Sequence, residues 1–257
     1  MRAKILDNLS TIECDKHVKI LYAVESGSRA WGFPSQDSDY DVRFLYAHPV
    51  EWSLSINEGR DVIEKPLQDN LDFSGWDIRK ALALFRKSNP PLLEWLGSPI
   101  IYLETYSTAQ RMRDLLPTYY SPTACLYHYL HMARGNFREY LHGDDVWVKK
   151  YFYVLRPLLA LNWIEQGLGA TPTDFNVMVE RLVTNPELRA AIEKSVAEKR
   201  AGAELRHGPP IPAISAFIES EMARLEQLQV PRDPRPFPSE PLNELFRATL
   251  QEVWGGR

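Results

Sequence analysis

The sequence predicts an α+β protein: a small mixed β-sheet with flanking helices over residues 1–106, then a mostly α-helical domain over residues 107–257. Three observations carry this. Short apolar runs bounded by Gly, Ser, Pro and Asp crowd the first hundred or so residues. The stretch YDVRFLY, residues 40–46, alternates with the period of a strand. From about residue 107 the apolar residues recur at helical spacing.

KILYAV, residues 19–24, reads as a buried strand, and Glu25-Ser26-Gly27-Ser28 after it reads as a tight turn. In the next strand Tyr40, Val42, Phe44 and Tyr46 take one face, and Asp39, Asp41 and Arg43 the other. A third strand is expected through residues 61–64 and a fourth through Leu71-Asp72-Phe73. A helix follows over 77–96, broken at Asn89-Pro90-Pro91. Residues 99–106 read as one more short strand or a connector.

In the second half, Leu126, Leu130, Ala133, Phe137 and Leu141 stripe a helix over 122–141. The next helix is expected over 145–166, kinked at Pro157. Shorter helices follow at 174–182, 186–200 and 211–228. The stiff connector PRDPRPFPSEP, residues 231–241, precedes a last helix at 242–254. No internal repeat is visible.

Bulk properties narrow the function classes. The net charge of −4 excludes a whole-surface electrostatic binder of nucleic acid or anionic membrane, so such binding needs a local basic patch. Cys14 and Cys125 belong to no C-x-x-C or Cys/His zinc pattern and read as free buried thiols, which fits a reducing compartment. The N-terminal MRAKILDNLSTIECDK lacks a secretory apolar core, and no apolar run is long enough to span a bilayer. A cytoplasmic protein is expected.

The chemistry concentrates in GSRAWGFPSQDSDYDVRF, residues 27–44. Two acids at i and i+2 on a strand project to the same face, and their repulsion is relieved by a cation between them or by water. Oxygen-only ligands suit Mg²⁺ or Mn²⁺, which complete their shells with water and phosphate. A bare D-x-D also fits an exposed strand edge. Gly27 adds close backbone approach to an anion, and Ser28 adds a hydroxyl and an amide. A calcium loop starting at Asp37 is excluded, because its sixth position is Val42 rather than Gly and its twelfth is His48 rather than Glu.

This stretch resembles the signature of the polymerase-β-like nucleotidyltransferase superfamily, in which G-S is followed by roughly ten residues and D-x-D. Together with LDFSGWDIRKALALFRKSNPPLLEWLGSPIIY, HYLHMARGNFREYL and KKYFYVLRPLLALNWIE, it is similar to a bacterial and phage branch of predicted nucleotidyltransferases, some associated with RNA ligases. The similarity runs over roughly residues 20–166.

The resemblance implies the polymerase-β-like nucleotidyltransferase fold, an NTP substrate and two-metal nucleotidyl transfer by Mg²⁺ or Mn²⁺. Asp39 and Asp41 are the implied metal ligands, and a third carboxylate on a later strand completes the set. Asp72 and Asp77 compete for that place. Asp72 sits between apolar neighbours on an expected strand, whereas Asp77 stands where a helix begins and reads as its cap. Gly27 and Ser28 would hold the β- and γ-phosphates. Arg43, on the face of the two aspartates, either offsets phosphate charge or is a surface residue.

In the helical half, Arg134, Lys149 and Lys150 are candidates to reach the triphosphate, against the alternative of solvated helix faces. Trp31 either stacks on a base or braces its loop. The implied acceptor is an RNA 3′ end, with an RNA ligase as an associated partner. Two alternatives stand: nucleotidylation of a protein or small molecule, and a nucleotide-binding regulator that keeps the fold without turnover.

Overall fold

The structure is a computed structural model that describes residues 1–57, 59–141, 146–147, 150–202, 207–230 and 237–255. By their contacts the residues gather into two units. Met1–Ala30, Asp39–Tyr120 and Arg235–Arg257 form the first; Trp31–Ser38 and Ser121–Pro234 form the second.

The first unit is built on a five-stranded mixed sheet of order β3-β4-β2-β1-β5. Its strands are β1 (Lys19–Glu25), β2 (Tyr40–Ala47), β3 (Val62–Gln68), β4 (Leu71–Asp77) and β5 (Ile101–Glu104). β2 and β4 pair in parallel, while β1/β2, β1/β5 and β3/β4 are antiparallel. β3 and β4 form a hairpin through Asp69 and Asn70, both with positive φ (52° and 60°), the turn chemistry that matches strand twist.

Both faces of the sheet are covered, so β1 and most of β2 are buried regardless of side-chain parity. On one face Val42, Phe44, Tyr46 and Phe73 pack with Ile5, Leu9 and Ile12 of α1 (Arg2–Lys16). This helix is not among the sequence expectations. Its charges mask a stripe of three buried residues at helical spacing.

The other face, with Leu45 and Ala47, packs under α4 (Ile78–Arg86), α5 (Pro90–Leu96), α6 (Thr108–Tyr119) and α12 (Glu240–Trp254). Asn89 caps α5 by accepting from the Leu92 amide at 3.2 Å, with Pro90 at the first turn. The break expected at Asn89-Pro90-Pro91 is therefore a helix start. Two short helices, α2 (Gly27–Ala30) and α3 (Val50–Ser53), complete this unit. The expected Gly27-Ser28 turn is the first half of α2.

The second unit centres on α7 (Pro122–Tyr140) and α8 (Tyr151–Glu165). α8 is apolar almost all round and buries eleven residues, which makes it the core of this unit. Phe33 stacks on Phe152 at 4.7 Å and meets Phe175 edge-on at 5.4 Å, which ties the 31–38 segment to these helices. α9 (Phe175–Leu182), α10 (Pro186–Arg200) and α11 (Pro212–Glu226) surround them.

The helix expected over 145–166 starts later than its pattern suggests. Val146–Trp147 forms a two-residue strand, β6, paired with His207–Gly208 (β7). No helix of the described residues is long and apolar enough to cross a membrane.

Candidate active site

The site grows from the way β4 docks on β2. Parallel pairing sets Asp41 directly opposite Asp72. Asp41 and Arg43 share a face of β2, so three charged groups converge at this end of the sheet. The Arg43 guanidinium donates from Nη2 to Asp41 Oδ1 at 2.9 Å and to Asp72 Oδ2 at 2.7 Å. Its Nη1 donates to the Asp72 carbonyl at 3.2 Å. The side chains of Asp41 and Asp72 are 28% and 37% exposed, open enough to meet a ligand and sheltered enough for charge to act strongly.

Asp39 lies just before β2 and is exposed. Its carbonyl accepts from Arg29 Nε at 3.1 Å, and the Arg29 guanidinium lies over the Tyr40 ring at 3.7 Å. Partial burial pushes the Asp41 carboxyl above its usual range. Arg43 opposes this, while the Asp72 and Asp39 carboxylates add to it. Asp41 thus feels both other carboxylates, and a cation beside it relieves that repulsion.

Gly27 is required by contact as well as by backbone. Its φ is +58°, and a Cβ there would fall 2.0 Å from Asp41 Oδ2. The Asp41 carboxylate therefore rests against the backbone of the Gly-Ser segment. Ser28 follows, half-buried in α2.

Two residues that the motif does not include hold Asp41 in place. Glu25, the last residue of β1, is fully buried. Its Oε1 accepts from the Asp41 amide at 2.8 Å, and its Oε2 accepts from the Tyr102 hydroxyl of β5. The Ser26 amide donates to the Asp41 carbonyl at 2.8 Å, so both backbone groups of Asp41 are fixed. Burial pushes the Glu25 carboxyl up to about 7, against the Tyr102 and Asp41 hydrogen bonds that lower it. The signal in the sequence is a carboxylate closing an otherwise apolar strand. Tyr102 offers no local signal.

Asp77 plays a different part. Its Oδ1 accepts from the Arg79 amide at 2.8 Å and caps α4, and its Oδ2 meets His48 Nδ1 at 2.9 Å.

The basic candidates of the helical half lie in the second unit. Arg134 donates to the Leu225 carbonyl at 2.8 Å. The Lys150 ammonium sits among the rings of Tyr140, Trp147 and Tyr153, at 4.2, 4.9 and 4.4 Å. Lys149 lies outside the described residues. Trp31 packs on Phe33 and Tyr153, under the Arg156 guanidinium at 4.5 Å, and braces its segment.

Among the described residues no three Asp, Glu, His or Cys side chains form a ready-made metal cage. The observation that bears on fit is narrower: Asp41 and Asp72, from neighbouring strands, already share one cationic group, the Arg43 guanidinium. A divalent ion of the Mg²⁺ type needs only one or two carboxylates besides phosphate and water. The donor set fits such an ion.

The family model described as RlaP, RNA repair pathway DNA polymerase beta family, matches residues 1–248. The chain is 51% identical over 256 residues to the uncharacterized protein YcgL of Bacillus subtilis (strain 168), covering 99% of this chain and 98% of that one. A crystal structure of a nucleotidyltransferase-like protein from Exiguobacterium sibiricum 255-15 aligns over 96% of this chain and 87% of its own, at 15% identity and a TM-score of 0.29.

Proposed function

The chain belongs to the RNA repair pathway DNA polymerase beta family, and from that premise we propose that it is a metal-dependent nucleotidyltransferase moving an NMP from an NTP to an acceptor hydroxyl, the 3′ end of an RNA. One observation carries the reading: Asp41 stands opposite Asp72 in parallel register, with Gly27 in contact with the Asp41 carboxylate.

Asp39, Asp41 and Asp72 would hold Mg²⁺ or Mn²⁺, which when bound supplies positive charge to the phosphates and acidifies the attacking hydroxyl. The protein's own groups do the positioning. The Gly27 backbone lets an anion approach closely, and Ser28 adds a hydroxyl and an amide beside it for the β- and γ-phosphates. Arg43 keeps Asp41 and Asp72 together and would offset phosphate charge. Glu25 and Tyr102 fix the backbone from which Asp41 projects. The family description supports RNA ends as acceptor and an RNA-sealing enzyme as companion.

The test incubates the full chain with each labelled NTP, Mg²⁺ or Mn²⁺, and RNA, DNA or a protein lysate. Label on RNA 3′ ends is the expected result, and Asp39→Ala is expected to abolish it. Label on protein alone would move the activity to protein modification. Transfer that persists in Asp39→Ala would refute the metal-site assignment.

A further inference from the structure

The helices α4 and α12 of the sheet-bearing unit run antiparallel and leave a cleft of about 490 Å³ between them. An arginine marks each end. Arg79 lies over Phe246 at 5.6 Å, and Arg86 donates to the hydroxyl of Ser239. The two are separated by about two helical turns, roughly 10 Å along α4. Lys87 stands beside Arg86, and the floor between them is apolar, made by Leu82 and Leu242.

Among the described residues the lining contains three cations and no acid. Among the described residues none of the three forms an ion pair. Arg79 donates to the Ser53 carbonyl at 2.7 Å and Arg86 to a hydroxyl, both neutral acceptors. The nearby carboxylate of Glu240 is engaged by Arg247 and Asn243. In a chain of net charge −4, a cleft with this lining is a local field of the opposite sign.

We propose that this cleft binds the phosphodiester backbone of single-stranded nucleic acid, with Arg79 at one end and Arg86 and Lys87 at the other contacting separate phosphates. Two cationic points about 10 Å apart suit a strand better than a single phosphate. Phe246 offers an aromatic edge for a base, and Asn243 adds hydrogen-bonding groups. As a route for the acceptor strand the proposal rests on the nucleotidyltransferase reading; as a binding site it stands apart from it.

The experiment measures anisotropy of a fluorescent RNA of roughly a dozen nucleotides with the full chain, in chelator and without NTP, across a salt series. A DNA strand of equal length, a mononucleotide and inorganic phosphate serve as competitors. Wild type is expected to bind the strands with strong salt dependence. Arg79→Glu/Arg86→Glu is expected to bind about tenfold or more weakly, with a log–log salt slope shallower by roughly 1.4 for two lost phosphate contacts.

Lys87→Glu, at an exposed position with no ion pair among the described residues, tests the cleft should the double variant fail to fold. Lys4→Glu, a charge reversal on α1, which covers the opposite face of the sheet, breaks an exposed pair with Asp69 and should bind as wild type. Unchanged binding in the cleft variants would overturn the proposal. So would inorganic phosphate or a mononucleotide competing as well as the strand, which would show a simple anion site. No metal or NTP is present, so a failed transfer assay leaves this result untouched, and a failed binding assay leaves the transfer chemistry untouched.

Discussion

A carboxylate shut off from solvent must be hydrogen-bonded or lose its charge, and Glu25 shows both tendencies. Its acidity shifts from the ordinary 4.5 up to about 7 because burial disfavours the ion. A raised pKa means that the folded chain holds this proton more tightly than the unfolded one. The associated stability is fully present below about 4.5 and is lost as pH rises through about 7, a span worth roughly 3 kcal/mol. Glu25→Gln keeps an acceptor for the Asp41 amide and removes the titration. The gap in urea midpoint between variant and wild type is therefore expected to grow in the variant's favour from pH 5 to pH 8; parallel curves would show that Glu25 does not titrate in this range. The sequence shows Glu25 as a carboxylate closing an apolar strand but not its partners, the Tyr102 hydroxyl of β5 and the Asp41 amide of β2, neither of which is near it in the chain. The Asp39–Asp41 spacing and Gly27 were legible because one short stretch carries them all.

At the scale of elements, the two acids near the ends of β4 separate by what surrounds them. Asp77 is buried and its bonds run to the start of α4 and to His48, whereas Asp72 opens onto the start of β2. Asp77→Ala is expected to lower stability by about 1–2 kcal/mol, the loss of a helix cap, while transfer per folded molecule stays near wild type. Asp72→Ala is expected to do the reverse, losing transfer while its stability stays within about 1 kcal/mol of wild type, the loss of one solvent-accessible ion pair. Chemical denaturation and the labelled-NTP assay on the same preparations read both. The strands were legible wherever an apolar run met a turn signal, as at residues 19–24 and 40–46. The helix expected over 145–166 began too early because Val146 and Trp147 are drawn into a pairing with residues 207–208, a long-range contact that periodicity does not register. α1 was missed for the opposite reason: its buried stripe of Ile5, Leu9 and Ile12 is sparse among charges.

At the scale of the whole molecule, the chain returns to its first unit after building the second. Leu242, Leu245 and Leu250 of α12 are buried among residues of the sheet-covering core. Each contributes about 1.5–3 kcal/mol of burial, and together they rival the net stability of a typical domain. A chain ending at residue 236 is therefore expected to lose its cooperative thermal transition, read by circular dichroism, even though the removed piece lies far in sequence from the strands it covers. A retained sharp transition would show that the sheet-bearing unit holds without it. The β3–β4 hairpin has a consequence of another kind. Its tight turn lets it zip up locally, but Asp72 reaches Asp41 only when the hairpin slots beside β2, a pairing across a long stretch of chain. Until that docking occurs the chain has neither the facing acids nor the chemistry that depends on them.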